Sequence, residues 1–518
     1  MAKSSVVIEL AAKSSVDHSL QPRNRPAYGI VVYEYQRVDN ILVKNCSFSG
    51  NPRKTKFMAQ GNQYLKTFIL FFLLFALLTK TSIFSWNDAS RMAQIQSLVE
   101  HNSLIIDNSI FSFTGDKYFF ENHFYSDKPP ILALYASPFY FILRQLGYSF
   151  ENHPELVYYL TTLLSIGSLS ALGLTVFRKI LKEFIHVTDE WADLITFITG
   201  VGTLILPYSL VFNNHVSSGV LILIGFYYFL DFKRNSSLRN AVCSGIFFSL
   251  AGSIDISAFL FLPFILILFS RRSLTAGITF VISCMPAIAL YSFLNLYTSG
   301  SLMPPAMNAS LWDYPGSAFN QETLSGLAGH ENIFDVLRYA FHMLLGSRGL
   351  ISHTPILLFS IISLLSIYQR NRHPLYKTGY AYILFPSLLY IGMYIFRTIN
   401  YSGWAFGVRW FASLMLILCL PMAALEREIR SSKAMKFAFI GIACLSILFS
   451  IIGTHNPFTP VTGNGLQEKL YPTHTIVVSI NLLVADFSVR LAVATFIIFL
   501  LLYRFVQNLA SAVSKNQS

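Results

Sequence analysis

Between Lys66 and Phe505 the sequence carries one apolar run after another, many of them about 20 residues long, the length at which an α-helix spans a bilayer. A membrane β-barrel would instead show short segments of alternating polarity, about ten residues each. The charge content agrees with helices in lipid. Only 12% of the 518 residues are charged while 53% are hydrophobic, and mean hydropathy is +0.51. A soluble domain carries about a quarter charged residues. The expected fold class is an all-α polytopic membrane protein.

The formal net charge of +12 does not mark a nucleic-acid surface. Its basic residues sit in short clusters between apolar runs, as at Arg271-Arg272 and Arg370–Arg372, where they mark cytoplasmic loops. No nucleic-acid partner is expected. The five cysteines show neither disulfide nor metal-ligand spacing, and four lie inside apolar runs, so they read as packing. The first apolar run begins near Lys66, so no cleavable signal peptide is expected. Residues 1–63 read as a basic, weakly ordered cytoplasmic tail, with strand-like composition over 27–48.

Positive loops set the topology. Runs at 66–85, 129–147, 154–177, 191–211, 216–232, 239–253, 256–270, 273–296, 341–368, 378–396, 407–425, 435–453 and 487–505 are candidate spans. Crossings that alternate after Arg178 place the loops at Arg178-Lys179, Lys233-Arg234, Arg271-Arg272, Arg370–Arg372, Arg427–Arg430 and Arg504 on one side. To bring Arg178 inside, one early run must not cross. The run 129–147 opens with Pro129-Pro130 and contains Pro138, so it is predicted to lie at the outer interface. About 12 spans remain, the number the positive-inside rule allows. Both termini are then cytoplasmic, and thirteen ordinary spans is the competing count. Three parts follow: the tail 1–63, a module 64–296 with external loop 86–153, and a module 297–518 with external loop 297–340.

The polar residues of interest then fall on the external face. After Trp86-Asn87-Asp88, residues Met92, Ile95, Leu98 and Val99 share one helical face, an amphipathic helix that could rest on the membrane. Asp88 suits a helix cap as well as it suits a chemical role. The stretch Tyr125-Ser126-Asp127-Lys128-Pro129-Pro130 leads into a helix start, where Asp127 would cap. Lys128 would sit beside N–H groups that favour an anion, or else snorkel to the interface.

These residues resemble the C-type (GT-C) integral-membrane glycosyltransferase superfamily, in its aminoarabinose-transferase and protein-O-mannosyltransferase (glycosyltransferase 39-like) branch. Its pattern "DE-x-R … YxEKPPL" is met here by Asn87-Asp88, Arg91 and Tyr125-Ser-Asp127-Lys128-Pro-Pro-Ile. Further likenesses are SLVFNNHVSSG, LNLYTSGSLMPP, GLISHTPILL and YSGWAFGVRW, and together they cover roughly 66–425. The departures are specific. One carboxylate stands where the family has an acid pair, His215 where an acid is common, and Val408 where a proline precedes the arginine.

The resemblance implies a GT-C fold with juxtamembrane helices in the first external loop. It also implies transfer of a sugar from a polyprenyl-phosphate-linked donor to a glycan, lipid or protein acceptor at the non-cytoplasmic face of a plasma or inner membrane, with inversion. In that reading Asp88 is the base, Lys128 and Arg409 hold the donor phosphate, and Arg91, Asp127, Tyr125, His215 and Asp255 bind or orient. Arg409 alone reads equally as an interfacial anchor. No cofactor is required, and the lost acid makes a divalent metal less favoured. The alternatives are a multi-pass transporter or flippase, for which no internal repeat is visible, and a structural or sensory membrane protein.

Overall fold

In the computed structural model the described residues are 33–38, 41–46, 52–320, 324, 329–369, 379–461, 465–486 and 488–515. Two compact units divide at Lys66/Thr67. Within the first, β1 (Tyr33–Val38) and β2 (Ile41–Cys46) pair antiparallel; most of the expected tail lies outside the described residues.

The rest is helical, and the molecule is an all-α polytopic membrane protein. Helix α1 covers Pro52–Leu78. Six helices are long and apolar enough to cross a bilayer: Pro154–Ile185, Asn214–Asn235, Leu274–Ser299, Arg409–Ser431, Lys433–His455 and Val489–Ser511. Shorter apolar helices include Leu238–Ile254, Ala381–Arg397 and Thr475–Ala485. The last was not expected. Its 11 residues are too few to stand out as a span, and they sit where the sequence reads as loop and lead-in. The run 341–368 is also corrected. It breaks into Ile333–Leu344, Leu350–His353 and Leu357–Gln369, because Gly346, Gly349 and Pro355 interrupt the helical path.

Charged side chains gather the basic loops at one end of the bundle. Arg178 pairs with Asp193 (2.5 Å) and Asp189 (3.1 Å), and Arg234 with Glu183 (3.8 Å). Arg430 joins Glu426 (2.9 Å) and reaches Glu190 (3.9 Å). Ring contact between Phe232 and Phe269 (4.9 Å) sets Lys233 beside the end of the helix Phe261–Arg272.

The segment from Trp86 to His153 builds the opposite end. Helix α2 (Trp86–His101) starts at the N-cap Ser85 and stops at Asn102, whose φ of 49° ends it in the left-handed region. Strands β3 (Lys117–Phe120) and β4 (His123–Ser126) form a hairpin turned by Glu121 and Asn122, both at positive φ. Helix α3 (Ile131–Gln145) then packs on α2, held by Arg144–Glu100 (3.1 Å). It leaves Phe141, Ile142 and Leu146 exposed. One expectation fails here. Helix α2 does not rest on a surface with its polar side in water, because Asn87 through Ser97 are buried. The hairpin, α3 and the bundle cover it on every side.

Candidate functional site

The hairpin register explains the centre of the site. Pairing of Lys117 with Ser126 closes the hairpin base, so the residues just outside it, Asp116 and Asp127, come side by side; the amide of Asp127 donates to the Asp116 carbonyl (3.4 Å). Ser90 of α2 pins that base, its Oγ contacting the Asp116 carbonyl and Ser126 Oγ, each at 2.6 Å. The next residue, Lys128, is thereby set between two carboxylates. Its Nζ lies 2.7 Å from Asp116 and 2.8 Å from Asp127. An ammonium has three N–H groups, so one remains.

The two carboxyls respond differently to the shared lysine. For Asp116 burial pulls the pKa up, but Lys128 outweighs it and the group sits below the ordinary carboxylate range. For Asp127 burial wins and the group sits above that range. Such a split between neighbouring acids is the usual mark of distinct chemical roles. Asp127 does not cap α3, whose N-cap is Pro130 with no side-chain bond. Its Oδ1 is instead buried without a partner.

Asp127 lines a cavity of about 120 Å³ together with Gln94, Tyr125, Lys128, Tyr291 and Asn295, among others. Gln94 Oε1 and Asn295 Nδ2 are likewise buried and unpartnered. A buried polar atom without a partner costs about 1–3 kcal/mol, so three such atoms on residues that line one cavity favour a hydrogen-bonding occupant. Tyr125 stacks on Tyr118 (5.8 Å between ring centroids) and gives the cavity an aromatic side.

Arg91 stands three residues before Gln94 on α2. It donates to Asn87 and, at 2.7 Å, to Asn214 Oδ1. Burial lowers its pKa to about 10, so it stays charged near neutrality. Asn87 is therefore its positioning partner. Asn214 begins the helix that carries His215, and His215 Nδ1 meets Asp255 Oδ2 at 2.8 Å. Asp255 also accepts from Tyr390 (2.9 Å) and Ser413 (3.0 Å).

Arg409 follows a turn with positive φ at Tyr401, Ser402, Gly403 and Gly407. At Gly407 a Cβ would come within 3.1 Å of the His353 ring, so only glycine fits. Buried Arg348, salt-bridged to Glu468 (2.6 Å), clamps the turn through the Ala405 carbonyl (2.7 Å). Arg348 thus braces a loop, and His353 has both ring nitrogens engaged, by Gly349 and Thr475. Arg409 donates to the Trp404 carbonyl (3.3 Å), lies over Phe458, and keeps Nε without a partner among the described residues. It lies close enough to Arg91, Asp116 and His215 for its charge to act on each.

Asp88 requires a correction. It is the N3 residue of a capping box with Ser85. Its Oδ1 accepts from the amide (2.8 Å) and Oγ (2.9 Å) of Ser85, and its Oδ2 from the Phe84 amide and the Tyr158 hydroxyl, both 3.0 Å. A carboxylate offers about four lone-pair sites, and all are taken in a side chain with no exposure. Asp88 holds the loop to the bundle and is not placed to accept a substrate proton. Sequence reasoning also missed Asp116, Gln94, Asn214, Asn295, Tyr390 and Ser413. Asp116 had a signal: a hairpin over 117–126 would have set it opposite Asp127.

Fold and site define a helical membrane protein with a polar, charge-lined cavity at one end. No family model and no curated protein matches the chain. Among solved structures it is similar to the crystal structure of ArnT from Cupriavidus metallidurans bound to undecaprenyl phosphate. The two are 10% identical with a TM-score of 0.46, over 88% of this chain and 78% of that one. Among the described residues no three His, Cys, Asp or Glu side chains converge as metal ligands would.

Proposed function

We propose that the protein is a GT-C-type glycosyltransferase that moves a sugar from a polyprenyl-phosphate donor to an acceptor on the non-cytoplasmic side of the membrane, with inversion at the anomeric carbon. One observation carries the reading: three residues that line one cavity with Lys128 each hold a buried polar atom without a partner. Hydroxyl groups of a sugar would satisfy those atoms, and the spare N–H of Lys128 would meet the phosphate. Arg409, with a free Nε and a planar guanidinium, suits the leaving phosphate. Arg91 adds a fixed positive charge. The Asn87-Asp88, Arg91 and Asp127-Lys128-Pro-Pro resemblance supports the same reading, with Asp88 now a structural member of the motif. No cofactor is assigned.

In the transfer the acceptor's oxygen or nitrogen bonds to the anomeric carbon as the bond from that carbon to phosphate oxygen breaks. The electron pair leaves with the polyprenyl phosphate, and the acceptor gives up a proton. The test uses the full chain in lipid nanodiscs with labelled polyprenyl-phosphate sugars. Sugar transfer by the wild type, lost in Lys128→Ala and Arg409→Ala, is the expected result. Undiminished transfer in both variants removes this site, and transport of a solute without transfer favours the flippase alternative.

A further inference from the structure

With Asp88 committed to its four donors, the proton released by the acceptor needs another destination. The turn between Leu238–Ile254 and Ile256–Leu260 meets the start of the helix Asn214–Asn235 at a buried pair, His215 and Asp255 (2.8 Å). Tyr390 and Ser413 donate into the same Asp255 oxygen. An oxygen that collects donors is an acceptor, so the imidazole must donate to it through Nδ1–H. That fixes the tautomer and leaves the lone pair on Nε2. Among the described residues Nε2 has no hydrogen-bond partner, yet it is not among the atoms sealed from solvent. The remaining charged groups facing the ring are Arg409 and Arg91, the two guanidiniums of the donor site. The pair does not itself line the cavity, but its neighbours do: Ile256 follows Asp255 in the chain, and Gln94 stands one helical turn after Arg91, which bonds Asn214 next to His215.

We infer that His215 is the general base of the transfer and that Asp255 is its positioning residue. The inference rests on the transferase reading for its substrate and on geometry for the pair. His215 Nε2 takes the proton of the acceptor's hydroxyl or amine while the new bond to the anomeric carbon forms. The imidazolium later passes that proton to water, and the phosphate leaves with its electron pair and no proton. Asp255 stays ionised and holds the ring.

The test has two independent readouts on the full chain in nanodiscs. In the transfer assay, His215→Gln lowers turnover about 100-fold or more, the range of a lost general base, with donor KM kept within about twofold. Asp255→Asn lowers turnover about tenfold or more, because an amide turns the ring to the tautomer with hydrogen on Nε2. Diethyl pyrocarbonate acylation, followed by mass spectrometry, reads the lone pair itself. In the wild type His215 is modified about tenfold or more faster than His353, whose nitrogens are both engaged. Asp255→Asn slows His215 modification. The proposal is overturned by His215→Gln with turnover within about threefold of wild type, less than any general base supplies. Equal modification of His215 and His353 also overturns it, as does a rate indifferent to Asp255→Asn. Absence of transfer with every donor defeats the transferase reading alone, and the acylation comparison still decides the pair.

Discussion

Replacing Asp88 separates an anchor from a base. In Asp88→Ala the amides of Phe84 and Ser85 lose their acceptor, while the hydroxyls of Ser85 and Tyr158 can rotate toward other partners. Two stranded donors at about 1–3 kcal/mol each, less the relief of no longer burying a carboxylate, give about 3 kcal/mol of lost stability. Asp88→Asn keeps one acceptor oxygen and turns an NH2 toward donors, for about 2 kcal/mol. Tyr158→Phe removes a single bond, about 1 kcal/mol. In a chain this long each kcal/mol moves the melting point by about 2 °C, so Asp88→Ala melts about 6 °C early. The buried thiols of Cys284 and Cys419 report unfolding through a thiol-reactive dye. The pH dependence has a definite sign. Burial, working against the four donors, raises the Asp88 carboxyl above its ordinary value of 3.8. Stability from this group is therefore full below that value and is lost as pH rises through the raised one. The gap between wild type and Asp88→Asn should widen as pH falls through that raised value. An Asp88→Asn protein that melts with the wild type but transfers no sugar would refute the reasoning and return Asp88 to chemistry.

Arg409→Ala should weaken binding of polyprenyl monophosphate about tenfold, with Arg409→Lys recovering part of it because a point charge cannot grip phosphate with two parallel bonds; lipid competition in nanodiscs measures both. Gly219 lies one turn below His215, and a Cβ there would come within 2.5 Å of the Ser413 carbonyl oxygen. Gly219→Ala should cost about 1–3 kcal/mol by overpacking, read as a lower melting point. It should also reduce turnover by moving Ser413 from Asp255. Asp127, raised by burial, loses its proton as pH rises through that elevated value and then adds a negative charge beside the anion site. Affinity for polyprenyl phosphate should fall across that window in the wild type more than in Asp127→Asn, as parallel pH titrations would reveal.

Much of this was legible in the sequence because it is local. Apolar runs announce helices, and short basic clusters announce which ends belong together; Arg178, Arg234 and Arg430 meet their acids as that grouping requires. The Lys128-Pro129-Pro130 entry stood out as a charged, proline-led helix start, and Asp88 and Arg91 through the resemblance. What escaped depends on partners distant along the chain. Asp88 reads as a chemical group until Tyr158, seventy residues away, is seen to fill its last lone pair. Asp116 has no signature until the β3–β4 register sets it against Lys128. Tyr390 and Ser413 come from two further helices and meet only at Asp255. The helix Thr475–Ala485 was lost for a simpler reason, since 11 residues fall short of a bilayer.

The balance of charge around the cavity argues for an anionic occupant whose binding is coupled to protons. Arg91 senses Arg409 and three carboxylates, Asp127, Asp116 and Asp88. With Lys128, three cations face those three acids, and the Asp255 carboxylate beside His215 is a fourth. The balance is not fixed, because burial raises Asp88 and Asp127 while Lys128 holds Asp116 ionised. Each proton taken by the raised acids shifts the balance one charge toward positive in a site largely screened from water, where charge acts more strongly than at the surface. A phosphate entering beside Arg409 would raise the proton affinity of Asp127 further, and by linkage protonated Asp127 would hold the phosphate more tightly. In the proposed transfer, departure of the sugar would turn a phosphodiester into a monoester that carries more negative charge. The same coupling would then hold the spent lipid more strongly than the donor, unless Asp127 releases its proton.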